Sequence, residues 1–463
     1  MESTIKNHVE SVIKEQREFF STHQTKDVKF RIAQLKKLRN AIYKYEKKIT
    51  EALWKDLHKS YEEAYYTEVN IVLDELDLHI SQLENWTEAE DVPTPLLLFP
   101  STSKIIYEPL GVVLIYAPWN YPFQLMMNSL VGAISAGCCS IMKPSPYALN
   151  TAQVMEEIIH ETFERKYIEI IQGDRKVNEI LFAQRYDFIF YTGSPAVGKV
   201  VMKAAAEHLT PVVLELGGKS PCVVDASANI DVAAKRIAWG KLINAGQTCI
   251  APDYLFVHSS VKDRLIKKIV EQIESMFGSD PKESKYYGRI INEQAFDRLR
   301  KLMLDGKIVY GGQTDRSEKY IAPTIMDEIK PGFPIMQEEI FGPLLPVMTF
   351  EQIDEVLTFV NEREKPLAFY YFGKSKSAED ILRRSTSGGA CINDVLLQIA
   401  NHHLPYGGVG NSGIGKYHGK ASFLAFSNVR GVVKTSTIFD LPMRYAPYRL
   451  FKLVKSLLMH RSK

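Results

Sequence analysis

Residues 111–144 read GVVLIYAPWNYPFQLMMNSLVGAISAGCCSIMKP. The run GVVLIYAP is short, apolar and rich in β-branched residues, as a strand buried on both faces requires. PFQLMMNSLVGAISAG follows with helical texture, and CSIMKP returns to an apolar strand. A strand, a helix and a second strand in this order form a parallel βαβ unit. The same alternation continues through KYIEIIQG, YDFIFYTG and PVVLEL, separated by helical stretches at ALNTAQVMEEIIHETF, RKVNEILFA and PAVGKVVMKAAAEH. The expected architecture is therefore an α/β fold built on an open parallel sheet covered by helices. Such sheets bind ligands beyond the carboxyl ends of their strands. Pro118, Trp119, Asn120, Lys143, Thr192, Gly193, Ser194 and Glu215 all fall at those ends.

A second alternation begins near residue 221, with PCVVDA, YLFVH and LLPVMTF between helices near 229–245, 262–277 and 351–363. It predicts a second lobe of similar type. TSKIIYEPLG and SNVRGVVKTSTI lie outside both alternations and are expected to pair as a small separate sheet. Upstream, Leu35, Leu38, Ile42, Tyr45, Ile49 and Leu53 recur at spacings of 3 and 4 and predict a long helix over 29–58.

Composition narrows the function classes. With 463 residues, the chain is long enough for two to four lobes. Its apolar fraction of 45%, charged fraction of 24% and net charge of +2 are those of an ordinary globular protein with no global attraction to nucleic acid. The five cysteines, Cys138, Cys139, Cys222, Cys249 and Cys391, are odd in number and irregularly spaced. That pattern speaks against a disulfide framework and for a reducing, cytoplasmic setting. No pair has metal-ligand spacing, so no metal site is expected. The first twenty residues are interrupted by charges and do not read as a secretory signal. No apolar run is long enough for a transmembrane helix.

Several short segments carry chemical potential, and each also has a plain structural reading. Cys249 lies in INAGQTCIAPDY, where a lone thiol is either a nucleophile or a small apolar residue. Glu215 ends a strand in LELGGKSP, as a base or as a satisfied carboxylate. YTGSPAVGK places Gly193 and Ser194 at a helix start, where backbone N–H groups favour an anion, although it is neither G-x-G-x-x-G nor a Walker A loop. Lys143 in KPSP is suited to ribose hydroxyls or phosphate. Asn120, between the prolines of PWNYP, is an oxyanion donor or a turn residue. EEIFGP (338–343) and LPYGGVGNSGIGKYHG (404–419) complete the set.

In this order and with these contents, PWNYP, KPS, TGSPAVG, ELGGKSP, GQTC, EEIFGP and PYGG with a following SG resemble the aldehyde dehydrogenase superfamily. GQTCIAPDY, IND, KYHG and the short N-terminus are similar to its class-3 or fatty-aldehyde branch. The resemblance implies two Rossmann-like parallel-sheet domains and a small oligomerisation sheet. The expected boundaries are 1–95 with 111–217 for NAD(P) binding, 218–402 for catalysis, 96–110 with 428–438 for oligomerisation, and a basic tail over 440–463.

The resemblance also implies roles. Cys249 is the nucleophile, Asn120 and the Cys249 backbone N–H hold the oxyanion, and Glu215 activates the water that hydrolyses the thioester. Lys143 reaches the adenosine ribose and Gly193 and Ser194 the pyrophosphate. Trp119 lines the cleft near the phosphates, Glu339 binds the nicotinamide ribose and Phe341 packs at the nicotinamide end. The expected reaction is NAD- or NADP-dependent oxidation of fatty, other hydrophobic or aromatic aldehydes to carboxylates by a homodimer. A CoA-acylating dehydrogenase and a non-catalytic protein retaining the fold are the alternatives; Glu215 favours hydrolysis, and the presence of Cys249, Glu215 and Asn120 favours catalysis.

Two positions depart from the family pattern. The KPxE glutamate, which accepts from the ribose 2′-hydroxyl in NAD-preferring relatives, is replaced by Pro146, so tolerance of NADP is expected. The common PFGG reads Pro405-Tyr406-Gly407-Gly408, which keeps the ring and adds a hydroxyl at the substrate end. His418 matches a branch-typical histidine, read as structural. In the tail, Leu450, Leu453, Val454, Leu457 and Leu458 follow helical spacing beside Arg449, Lys452, Lys455 and Arg461. That pattern is an interfacial helix at the inner membrane face, or a helix docked on the protein itself or on a dimer partner.

Overall fold

The computed structural model describes residues 2–452 and 455–456. The chain divides into two units: Met1–Trp86 with Pro109–Ser427, and Thr87–Glu108 with Asn428–Lys463.

The larger unit contains both predicted parallel sheets. The first has six strands. Val112–Tyr116 lies at its centre, parallel to Cys139–Lys143 on one side and Phe188–Thr192 on the other. Ile168–Ile170 and Val212–Glu215 extend it in parallel on the two flanks. The helix Pro122–Ala136 is buried along its whole length, which explains why its sequence is apolar all round rather than amphipathic. Gly413–Ile414 adds a short antiparallel edge, with Gly413 opposite Glu215.

The second sheet has seven strands. Pro221–Val224, Tyr254–His258, Leu344–Phe350, Ala368–Phe372 and Gly389–Ile392 run parallel. Thr324–Asp327 is parallel to Leu344–Phe350, and Lys307–Tyr310 closes the edge in the antiparallel sense. These two, with Ala368–Phe372 and Gly389–Ile392, lie outside the strands expected from sequence: KIVY, TIMD and GACI are only four residues long, whereas AFYYF is apolar and fully buried.

The long helix spans Val28–Leu57. Of its predicted face, Leu35, Leu38, Ile42, Ile49 and Leu53 are fully buried, each contributing about 1.5–3 kcal/mol by leaving water, whereas Tyr45 is half-buried and its hydroxyl donates to Glu161. On its outer side Lys44 and Lys48 pair with Glu161 and Glu157.

The smaller unit holds a three-stranded sheet of Glu90–Val92, Thr102–Pro109 and Ser427–Lys434. Glu90 pairs with Ile105 and Val92 with Ser103. The small sheet thus starts before residue 96, the boundary expected from sequence; EDV is too short and too charged to show strand alternation. Of the tail residues singled out above, Leu453, Val454, Leu457, Leu458 and Arg461 lie outside the described residues. Among the described residues no helix is long and apolar enough to cross a membrane.

Candidate active site

Cys249 lies between the helix Ile230–Leu242 and the strand Tyr254–His258, on a loop of unusual backbone. Asn244, Ala245 and Gly246 have φ of 51°, 50° and 75°, three left-handed residues in succession. A non-glycine residue there costs about 1–2 kcal/mol, so neighbouring bonds must hold the conformation. Glu63 Oε1 accepts from Asn244 N at 2.8 Å. Gln247 donates to the Asn244 and Arg289 carbonyls and accepts from Ile291 N, which satisfies its whole amide. A Cβ on Gly246 would collide with the Gly342 carbonyl, so the Cys249 loop needs glycine where it meets the EEIFGP loop.

Asn120 follows the central strand of the first sheet and is buried. Its Nδ2 donates to Gln247 O at 3.1 Å, two residues from Cys249. Its backbone carbonyl accepts from Lys59 Nζ at 2.9 Å and Asn244 Nδ2 at 2.8 Å. Lys59 also pairs with Glu68, both fully buried, and Glu68 Oε2 accepts from Phe123 N and Gln124 N. The backbone of Asn120 is therefore held by Lys59 and Asn244 and its Nδ2 by the Cys249 loop, while its Oδ1 is buried without a hydrogen-bond partner. This support is not legible in the sequence: charged residues normally face water, and nothing in HKSYEEAYYTEV marks Lys59 and Glu68 as buried. The turn-prone INAG run was a usable signal for the left-handed loop.

Glu215 closes Val212–Glu215 and is 2% exposed, with neither carboxylate oxygen hydrogen-bonded. Burial drives its pKa well above the usual carboxylate range, opposed by Lys416. The PYGG loop lies against it: a Cβ on Gly407 would stand 2.6 Å from Glu215 Oε1. Lys416 Nζ donates to the carbonyls of Gly407, Gly408 and Gly388, anchoring that loop. Tyr406, at its start, brings its hydroxyl to 3.5 Å from Cys249 Sγ. Cys249 itself is half-buried. Burial pushes its thiol up to about 12, while the Tyr406 hydroxyl and the Cys249 backbone N–H act downward and Glu339 and Glu215 upward.

A cavity of about 200 Å³ joins these groups. Asn120, Glu215 and Cys249 line it together with Trp119, Gly193, Ser194, Glu339 and Phe341. Trp119 and Phe341 meet edge to face at 5.3 Å. A wider cleft of about 850 Å³ shares Ser194, Gly217, Glu339 and Phe341 with it. Lys143 lies apart from this set. It is buried at the end of its strand, with Nζ donating to Pro144 O at 2.7 Å and 5.4 Å from the Tyr116 ring centre. Burial lowers its pKa to about 8.

The cleft suits a dinucleotide. Glu339 Oε1 is buried without a hydrogen-bond partner, ready to accept from a ribose hydroxyl. Its pKa is pushed up to about 8 by burial and by Asp253, against Gly218 N–H, Lys219 and Arg298. Lys219 pairs with Asp253 and donates to the Ile335 and Glu338 carbonyls, and Asp253 Oδ1 accepts from Ile340 N. Ser194 caps the helix Pro195–Ala206 and exposes the helix start to the cleft. A side chain on Gly217 would fill the space beside Glu339.

Two parallel sheets and a cleft lined this way suit a nucleotide-dependent α/β enzyme. The family model described as the aldehyde dehydrogenase family matches residues 1–432. The 4,4'-diaponeurosporen-aldehyde dehydrogenase of Staphylococcus aureus is 46% identical over 97% of this chain and 99% of its own length. The dimeric NADP-preferring aldehyde dehydrogenase of Canis lupus familiaris is 43% identical over 95% of this chain and 98% of its own. A solved structure, the substrate-bound state of Staphylococcus aureus AldH, superposes with a TM-score of 0.95 at 45% identity, covering 97% of this chain and 99% of that one. The chain belongs to the aldehyde dehydrogenase family. It is an oxidoreductase that uses NAD or NADP to oxidise aldehydes, and its similarity is to the class-3 members.

Proposed function

We propose that Cys249 attacks the aldehyde carbon, that Asn120 and the Cys249 backbone N–H hold the resulting oxyanion, and that Glu215 activates the water that hydrolyses the acyl-cysteine. The observation that carries this reading is the common cavity of Cys249, Asn120 and Glu215, three groups from distant parts of the chain. In the attack a carbon–sulfur bond forms and the carbonyl oxygen gains the electron pair. The donors are held in place beforehand by Gln247, Asn244 and Lys59, so little reorganisation accompanies the charge. The bound nicotinamide supplies the two-electron acceptor. Glu339, Phe341, Gly193, Ser194 and Trp119 would hold the dinucleotide along the cleft, and Lys143 its adenosine ribose. Glu215 then takes a proton from the water that attacks the acyl carbon and passes it to the Cys249 sulfur as the carbon–sulfur bond breaks and the carboxylate leaves.

The preferred substrate is a hydrophobic aldehyde. Trp119, Leu125, Leu216 and Phe341 give the cavity its apolar walls, and the staphylococcal relative is named for 4,4'-diaponeurosporen-aldehyde. The first domain, 1–95 with 111–217, carries the cofactor and 218–402 the nucleophile; the small sheet serves a homodimer in the cytoplasm. The basic tail over 440–463 makes peripheral membrane contact. Initial rates over aldehydes of graded chain length, with Cys249→Ala as control, test the assignment. Cofactor reduction that survives in Cys249→Ala refutes it. Liposome co-sedimentation of full-length chain against one lacking 445–463 tests the tail, and equal pelleting refutes it.

A further inference from the structure

We infer that the Tyr406 phenol is a catalytic hydrogen-bond donor to Cys249, stabilising the thiolate at a position where the family pattern places a phenylalanine. The inference rests on Cys249 being the nucleophile. Its geometric basis is direct: Tyr406 Oη lies 3.5 Å from Cys249 Sγ, within hydrogen-bond reach of a sulfur.

The ring is held independently of that contact. Tyr406 N donates to Tyr417 O at 2.9 Å and Tyr417 N to Tyr406 O at 2.8 Å, a closed pair of backbone bonds. The Tyr417 ring packs against it at 5.6 Å and 80°, and the His418 ring lies at 5.4 Å. Tyr406 is buried. The hydroxyl is thus aimed at the sulfur by the fold rather than drawn there by it.

The protonation states fit a donor role. Burial, Cys249, Tyr417 and Glu215 keep the Tyr406 phenol well above its ordinary pKa, so it carries its proton wherever the enzyme works. Against a thiolate it can only donate. The carboxyls of Glu215 and Glu339 oppose a negative sulfur, whereas the Cys249 backbone N–H favours it. The phenols of Tyr121, Tyr370 and Tyr417 also face the site, and Lys416 acts on Glu215. Within that balance Tyr406 is the side-chain donor placed at the sulfur itself.

A hydrogen-bonded thiolate is more populated but less nucleophilic, with reactivity falling by about 0.4–0.5 log units per unit of lowered pKa. This gives a signature that a packing role lacks. The test is the pH dependence of iodoacetamide alkylation of the full-length enzyme, in which a carbon–sulfur bond forms and iodide leaves, with the modified cysteine mapped by mass spectrometry. Tyr406→Phe keeps the ring, and near-ultraviolet circular dichroism checks its packing. Over pH 7–10, on the rising limb of the profile, Tyr406→Phe should alkylate about threefold more slowly than the unaltered enzyme, with its near-ultraviolet spectrum unchanged. Superimposable rates, or a fall that comes with an altered near-ultraviolet spectrum, overturn the inference. If mapping shows that Cys249 is not the fast-reacting thiol in the unaltered enzyme, the nucleophile assignment fails instead, and the two failures are distinct.

Discussion

The Lys59 ammonium donates to the Asn120 backbone carbonyl at 2.9 Å, and both residues are buried. The same ammonium pairs with Glu68 and stands 3.8 Å from the Tyr121 ring centre. One cation therefore ties a helix of the N-terminal segment to the residue proposed to hold the oxyanion. Lys59→Met removes the charge and leaves the Glu68 carboxylate buried, which costs about 3–5 kcal/mol. Urea unfolding should show that loss. The double variant with Glu68→Gln should recover much of it, because the uncompensated charge is gone.

Glu215 is expected to govern the hydrolytic half of the reaction. Glu215→Gln should lower turnover by about 100- to 10,000-fold while an acyl-cysteine accumulates, visible by mass spectrometry of quenched enzyme. Burial raises this carboxyl far above its ordinary range, and Lys416 opposes the rise. The base works only when deprotonated, so hydrolysis should accelerate as pH rises through the Glu215 pKa. Lys416→Met should move that limb further alkaline. A pH profile of steady-state turnover, taken where hydrolysis limits, distinguishes the outcomes.

Acid sensitivity should centre on Glu75. Burial pushes this carboxyl up, but the His79 hydrogen bond and charge, His418 and the Gly419 N–H together bring it down to about 2. Its Oε1 accepts from Gly419 N at 2.6 Å and contacts His79 Nε2 at 3.1 Å. A carboxyl depressed in the folded state stabilises the fold above its unfolded value, and that contribution disappears as pH falls from about 4.5 towards 2. The shift corresponds to stability on the order of 3 kcal/mol. Chemical denaturation at pH 7 and pH 3 should show the loss in the unaltered enzyme and a flatter dependence in Glu75→Gln.

Pro146 should set cofactor tolerance. With no carboxylate at that position to repel a 2′-phosphate, and Lys143 near the Asp174 carboxylate, both cofactors should support turnover. Pro146→Glu should lower kcat/KM for NADP by about tenfold or more through like-charge repulsion, with a smaller change for NAD. Parallel titrations with the two cofactors check this.

The two parallel sheets were legible because strands buried on both faces must be continuously apolar, as GVVLIY, YLFV and LLPVM are. The cavity residues Cys249, Glu215, Asn120, Glu339 and Phe341 were legible as motifs, and Tyr406 as a departure from one. What surrounds them was not. Glu68 and Glu75 are charged residues on helices and Lys59 lies in the break between two, and only tertiary packing shows that they face inward. The left-handed run Asn244–Gly246 depends on bonds from Glu63 and Gln247, and Glu63 lies 181 positions from Asn244. Lys143 shows the limit from the other side: its motif was plain, but its ammonium turns to its own neighbour's carbonyl rather than into the cavity.

The edge strand Gly413–Ile414 has a consequence for biosynthesis. It supplies the outer partner of Val212–Glu215, so the first sheet is incomplete until the ribosome has passed residue 414. A nascent chain that has emerged only as far as the first lobe presents an unpaired apolar strand border, a template for pairing with neighbouring chains. Fragments ending near residue 217 should therefore be prone to aggregation, and the lobes of this enzyme are expected to mature together rather than in order of synthesis.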